Sequence, residues 1–138
     1  MDTGNSSTHP YPVVMLVDDN DIDNFINQKM IEGCSFSTQI LIHTSSKSAL
    51  EFLRNLERSE LKHRKDLIPN LIFLDINMTI MDGFQFLEEF EGLPEEFHRT
   101  KIVMLSTSIN PSDIEKAESN KFVLRFINKP LTKEHLDE

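Results

Sequence analysis

Five short apolar runs, each too brief for a buried helix and each closing on polar residues, limit how this chain can fold. Val13–Val17, Leu71–Leu74, Ile102–Leu105 and Phe122–Ile127 are the clearest, and Thr38 to His43 reads as a fifth. Near-continuous apolar runs suit strands buried on both faces of a parallel sheet. Segments with helical periodicity separate them, so helices must carry the chain from strand to strand and cover both faces. The expected fold is one α/β domain with a doubly wound, five-stranded parallel sheet.

The connecting segments support this. Asp21-Ile22-Asp23-Asn24 opens a helix with Ile22, Phe25, Ile26 and Met30 at near-helical spacing, ending at Gly33. Ser45 or Ser46 can cap the next helix, whose apolar stripe is Ala49, Leu50, Leu53 and Leu56. Asp82-Gly83 marks a turn before a third helix carrying Phe84, Phe86, Leu87 and Phe90. Asn110-Pro111 starts a fourth, since proline is tolerated in a first turn. Lys129-Pro130-Leu131-Thr132 leads into a fifth that has barely begun at Glu138, so the C-terminal helix is expected to be short or truncated. The dense charge from Glu57 to Asp66 reads as a solvated helix extension or long loop, and residues 1–11 as a flexible leader.

A length of 138 residues suits one core. The net charge of −9 argues against direct nucleic-acid binding, which calls for a basic surface. No run approaches a membrane span, and the N-terminus lacks the order of a signal peptide. The single cysteine, Cys34, allows no internal disulfide and suits a reducing compartment. A cytoplasmic location is expected, with no membrane partner. His9, His43, His63, His98 and His135 show no metal-ligand spacing.

The chemistry lies in what ends each run. Asp75 closes Leu71–Leu74, Asp18-Asp19 follow Val17, Ser106-Thr107 follow Leu105, and Asn128-Lys129-Pro130 follow Ile127. In an open parallel sheet these ends share one rim, where ligands bind. Three carboxylates, a hydroxyl and an amine there suit a metal-assisted phosphate site. Carboxylate oxygens prefer a hard cation such as Mg²⁺, and without one they raise each other's pKa. A carboxylate can form an acyl phosphate when the phosphoryl group is positioned and its charge neutralised.

In order and spacing, Val17-Asp18-Asp19-Asn20, Leu74-Asp75-Ile76-Asn77-Met78, Met81-Asp82-Gly83, Leu105-Ser106 and Asn128-Lys129-Pro130 resemble a response-regulator receiver domain, the phosphoacceptor half of two-component signalling, over residues 12–138. The resemblance implies a flavodoxin-like sheet of strand order 2-1-3-4-5. It makes Asp75 the phosphoacceptor and gives Mg²⁺ the ligands Asp19, Asp75 and the Asn77 backbone carbonyl, with Asp18 acting largely through water. Lys129 would pair with the phosphoryl group, Pro130 would be the family's cis proline, and Ser106 and Phe126 would form the switch. The implied partners are a histidine kinase or histidine phosphotransfer domain and a downstream protein that the sequence does not name. Thr79 departs from the family's usual proline, Thr107 from a smaller residue, and the segment from Glu57 to Asn70 is longer than usual.

Two other functions fit the same scaffold. One is a phosphorylation-independent interaction module. The other is a small aspartyl-phosphate phosphohydrolase, but haloacid-dehalogenase phosphatases need a second aspartate two residues after the first, where this chain has Asn77. The chain is therefore expected not to be an enzyme beyond self-phosphorylation and slow self-dephosphorylation, with Asn77 and Ser108 lining the water's approach by the same resemblance.

Overall fold

A computed structural model describes residues 11–59 and 65–137. The strands β1 (Val13–Val17), β2 (Gln39–His43), β3 (Leu71–Leu74), β4 (Lys101–Ser106) and β5 (Val123–Asn128) form one sheet in the order β2-β1-β3-β4-β5. Every pairing is parallel, and the order is the one the resemblance implies. The helices are α1 (Asp21–Gly33), α2 (Ser46–Arg58), α3 (Gly83–Glu91), α4 (Pro111–Glu118) and α5 (Lys133–Asp137), with short 3-10 turns at Lys65–Leu67 and Glu95–Arg99. Most of the expected leader and part of the charged segment, with His9 and His63, lie outside the described residues. Tyr11 lies within them and packs its ring 5.0 Å from that of Phe36.

Alternation along each strand divides the core between the two faces. Met15, Val17, Ile72, Leu74, Ile102 and Met104 pack with the stripe of α2, with Phe86, Leu87 and Phe90 of α3, and with Ala117 of α4. Val14, Leu16, Phe73, Val103, Leu105 and Ile127 face the other way, toward Ile31 of α1 and Leu136 of α5. Caps fix where the helices begin. Ser45 accepts from the Ser48 N–H, Asp82 and Gln85 form a capping box, and Asn110 accepts from the Ser112 N–H ahead of α4. Among the described residues, no helix is long and apolar enough to cross a membrane.

The first helix forms where its periodicity predicts, but it turns that apolar stripe outward. Ile22, Phe25 and Ile26 are 70%, 59% and 44% exposed, while Asn24, Asn27 and Ile31 are buried. The reason is polar: Asn24 Nδ2 donates to the Asp18 carbonyl at 2.8 Å and holds this face against the end of β1. Met30 is half-buried.

Gly83 brings α3 against the end of β3. Its N–H donates to the Ile76 carbonyl at 2.9 Å. A Cβ there would lie 2.6 Å from the Asp75 carbonyl oxygen and 3.0 Å from Ile76 Cα, both backbone atoms that cannot rotate away. Gly83→Ala should therefore lower stability by about 1–3 kcal/mol, as overpacking does. Urea unfolding measures this, and an unchanged midpoint would contradict the close approach.

Candidate functional site

Strand register brings the acidic residues together. Val17 pairs with Leu74, so the residues that follow, Asp18 and Asp75, leave the sheet side by side. The Asp75 N–H continues the ladder to the Val17 carbonyl at 3.0 Å, and the Asp18 N–H bonds the His43 carbonyl at 3.1 Å. Asp18 and Asp75 are buried and Asp19 is exposed, yet one oxygen from each falls within 4.8 Å of the others. Asp18 Oδ1 accepts from the Asn20 N–H, and Asp19 Oδ2 accepts from the Thr79 N–H at 3.2 Å.

Lys129 enters from the other side. Ser106 pairs with Asn128, the Lys129 N–H reaches the Ser106 carbonyl at 2.9 Å, and the Lys129–Pro130 peptide is cis. The ammonium lies 2.7 Å from Asp18 Oδ2, 2.8 Å from Asp23 Oδ2 and 3.7 Å from Asp75 Oδ1. Asp23, on the first turn of α1, was not among the residues expected here. Its negative charge is ordinary for a helix N-terminus, so nothing local in the sequence distinguishes it.

These charges set the protonation of the site. Burial pushes the Asp75 carboxyl up, and the charge of Asp18 adds to it, with a smaller push from Asp19. Lys129 and a hydrogen bond from the Asn77 backbone pull the other way, and the result is about 6. For Lys129, burial alone would lower the pKa, but hydrogen bonds to Asp18 and Asp23 and the charges of Asp75 and Asp18 outweigh it and raise it.

Ser106 is fully buried at the end of β4. Its Oγ accepts from the Ser108 N–H at 3.1 Å and from Asn77 Nδ2 at 3.4 Å, and neither bond uses the hydroxyl proton. Ser108 Oγ in turn donates to Asp113 of α4, and Asn128 Nδ2 donates to the Ser108 carbonyl. Phe126 is half-buried, packed against the core beneath α2, α3 and α4. Asn77 is exposed beside Ser106. Thr107 is exposed. The acidic trio is an all-oxygen donor set, two of its members buried with like charge, and it fits a hard divalent cation.

Known proteins share this sequence pattern and fold. The family model for the response regulator receiver domain matches residues 14–138. The response regulator Rcp1 of Synechocystis is 30% identical over 107 residues, covering 78% of this chain and 69% of its own. A crystal structure of a two-component response regulator from Cytophaga hutchinsonii superposes with a TM-score of 0.81 at 30% identity, covering 92% of each chain. The Mn²⁺-bound form of Rcp1 superposes with a TM-score of 0.70 at 25% identity, covering 91% of this chain and 87% of its own.

Asp75 gives the site a stability signature. Its folded pKa of about 6 stands above the ordinary 3.8, so the folded chain holds a proton that the unfolded chain releases. Stability then falls as pH rises through that window, by on the order of 2 kcal/mol at pH 7 in the absence of divalent cations. Asp75→Asn removes this cost. The variant should melt above wild type at pH 7 in EDTA, with the gap closing near pH 4, and added Mg²⁺ should raise the wild-type melt more than the variant's. A variant no more stable than wild type at pH 7 would show that the carboxylate is not strained.

Proposed function

This chain belongs to the response-regulator receiver family, and from that premise we propose that it is a phosphorylation switch whose acceptor is Asp75. The supporting observation is buried Asp75 beside Asp18 at the carboxyl ends of adjoining strands, with the Lys129 ammonium 2.7 Å from Asp18 and 3.7 Å from Asp75. The donor is a phosphohistidine on a histidine kinase or phosphotransfer domain. An Asp75 oxygen attacks phosphorus, the donor's P–N bond breaks, and its electron pair stays with the imidazole. Asp18, Asp19, Asp75 and the Asn77 backbone carbonyl would hold Mg²⁺, which when bound offsets the charge of the transferring phosphoryl oxygens. That Rcp1 has a Mn²⁺-bound form supports the reading that this chain takes a divalent cation.

Lys129 pairs with the phosphoryl group, and the Ser106 hydroxyl donates its unused proton to a phosphoryl oxygen. That draws the loop before α4 inward, with Phe126 following, and shifts an existing equilibrium. The face of α4, β5 and α5 is then offered to a downstream protein. The receiver domain takes in residues 12–138 and works in the cytoplasm as an acceptor, not as a turnover catalyst. Asn77, where a phosphohydrolase needs an acid, weighs against steady hydrolysis.

The outward stripe of α1 suits the donor protein. Large apolar side chains clustered in the open mark an interaction surface. Ile22, Phe25 and Ile26 begin one residue from Asp23, at the rim a donor histidine must approach. Phe25 and Ile26 border a groove of about 460 Å³ that runs on to Met30, Cys34 and Lys133.

Two outcomes test this reading. Intact mass after incubation with acetyl phosphate should show a Mg²⁺-dependent gain of one phosphoryl group, absent from Asp75→Asn. Equal labelling of that variant would refute the assignment, and no labelling from any donor would leave the phosphorylation-independent module. Separately, Phe25→Asp should slow transfer from a cognate phosphotransfer domain about tenfold or more, as loss of an interface anchor does, while the acetyl phosphate rate stays unchanged. Equal slowing with both donors would place the defect in the site instead.

A further inference from the structure

The Lys129 ammonium is not held by the proposed phosphoacceptor. It makes short hydrogen bonds to Asp18 Oδ2 at 2.7 Å and Asp23 Oδ2 at 2.8 Å. Asp75 Oδ1, at 3.7 Å, is too far for one. An ammonium has three donors, and two of them are committed to β1's exit and to α1. Asp75 receives through-space attraction only.

Asp23 is placed to act as a releasable partner. Its backbone is set by the helix start, where its N–H donates to the capping Asn20 Oδ1 at 3.0 Å. Its side chain is 33% exposed, against 5% for Asp18 and 8% for Asp75. If Lys129 leaves, Asp23 can be taken up by water and its charge still suits the helix N-terminus. Neither of the other two carboxylates has that option. Without Asp23, the nearest remaining carboxylate for the freed donor is Asp75. Lys129 would then bridge Asp18 and Asp75, the two buried oxygen donors that a divalent cation needs.

We propose that Asp23 is a positioning residue of this site. It holds Lys129 clear of Asp75 in the resting protein, which leaves that carboxylate open to the cation, and it yields Lys129 to the phosphoryl group once transfer has occurred. The inference rests on the reading of Asp75 as the phosphoacceptor, but it concerns a residue outside the motifs that carry that reading.

The test compares Asp23→Asn with Asp23→Glu and with Asp21→Asn. The last removes a first-turn charge that is not a partner of Lys129. In Asp23→Asn, Mg²⁺ half-saturation followed by amide NMR should rise about tenfold, the size of effect seen when a group supporting metal ligands is lost. The acetyl phosphate rate at saturating Mg²⁺ should stay at or above that of wild type. The side-chain ¹⁵N resonance of Lys129 should move in metal-free Asp23→Asn, remain in place in Asp21→Asn, and be restored at least in part by Asp23→Glu. An Asp23→Asn protein with wild-type half-saturation and an unmoved Lys129 resonance overturns the proposal, as do equal effects in Asp21→Asn. If wild type is labelled on Asp75 and only these differences are missing, the role of Asp23 falls alone. If wild type takes up neither Mg²⁺ nor a phosphoryl group, the receiver chemistry falls with it.

Discussion

Two buried carboxylates leaving adjacent parallel strands side by side are the constraint to which the rest of this structure answers. Asp18 and Asp75 are only 3% and 7% exposed, and their charges repel in a medium that screens poorly. Lys129 is their cation among the described residues, and it is shared with Asp23. One ammonium cannot balance them with Asp19 also near, so the site relaxes in one of two ways. It takes a proton, which is what the raised pKa of Asp75 expresses, or it takes a cation. A cluster this unfavourable is a poor way to stabilise a fold and a good way to hold a reactive group ready.

The scaffold resists that repulsion at the centre and gives way at one side. Strands β1 and β3 are buried along their whole length, Asn24 ties α1 to the Asp18 carbonyl, and Gly83 lets α3 close on the Asp75 carbonyl. The carboxylates therefore cannot drift apart. On the other side β5 is an edge strand with one fully buried residue, and the eight residues of α4 bury only Ala117. Elements with so few buried contacts open at little cost. The proposed switch pair lies on this softer side, with Ser106 linked through Ser108 to Asp113 of α4 and Phe126 half-buried on β5. A phosphoryl group pulling on the Ser106 hydroxyl would act on a side of the fold that opens at little cost.

What could be read from the sequence follows from how local each feature is. The apolar runs and their polar closures specify strands, and parallel pairing then brings Asp18 and Asp75 together, because both directly follow paired residues, Val17 and Leu74. The stripe of α2 is legible because burial alone decides it. The stripe of α1 misleads because two asparagines are buried in its place, one through a hydrogen bond to a strand carbonyl that periodicity cannot reveal. The Asp23–Lys129 pair joins residues more than a hundred positions apart and is visible only in three dimensions.

Thr79 shows how a departure from a family pattern can change the kind of restraint at a site. A proline here would stiffen the loop after β3 through its ring, but it has no N–H to donate. Thr79 has one and gives it to Asp19 Oδ2 at 3.2 Å. The turn then tightens, with the Met81 N–H on the Thr79 carbonyl at 2.7 Å and Ile80 at a φ of 68°. That is a left-handed conformation, costly for a β-branched side chain, and Ile80 is 98% exposed with no burial to offset it. The strain persists because the bonds on either side fix the loop. The loop is thus fastened to a carboxylate that a cation would also use, so its conformation and the state of the acidic site are linked through a single hydrogen bond where a ring would have kept them independent.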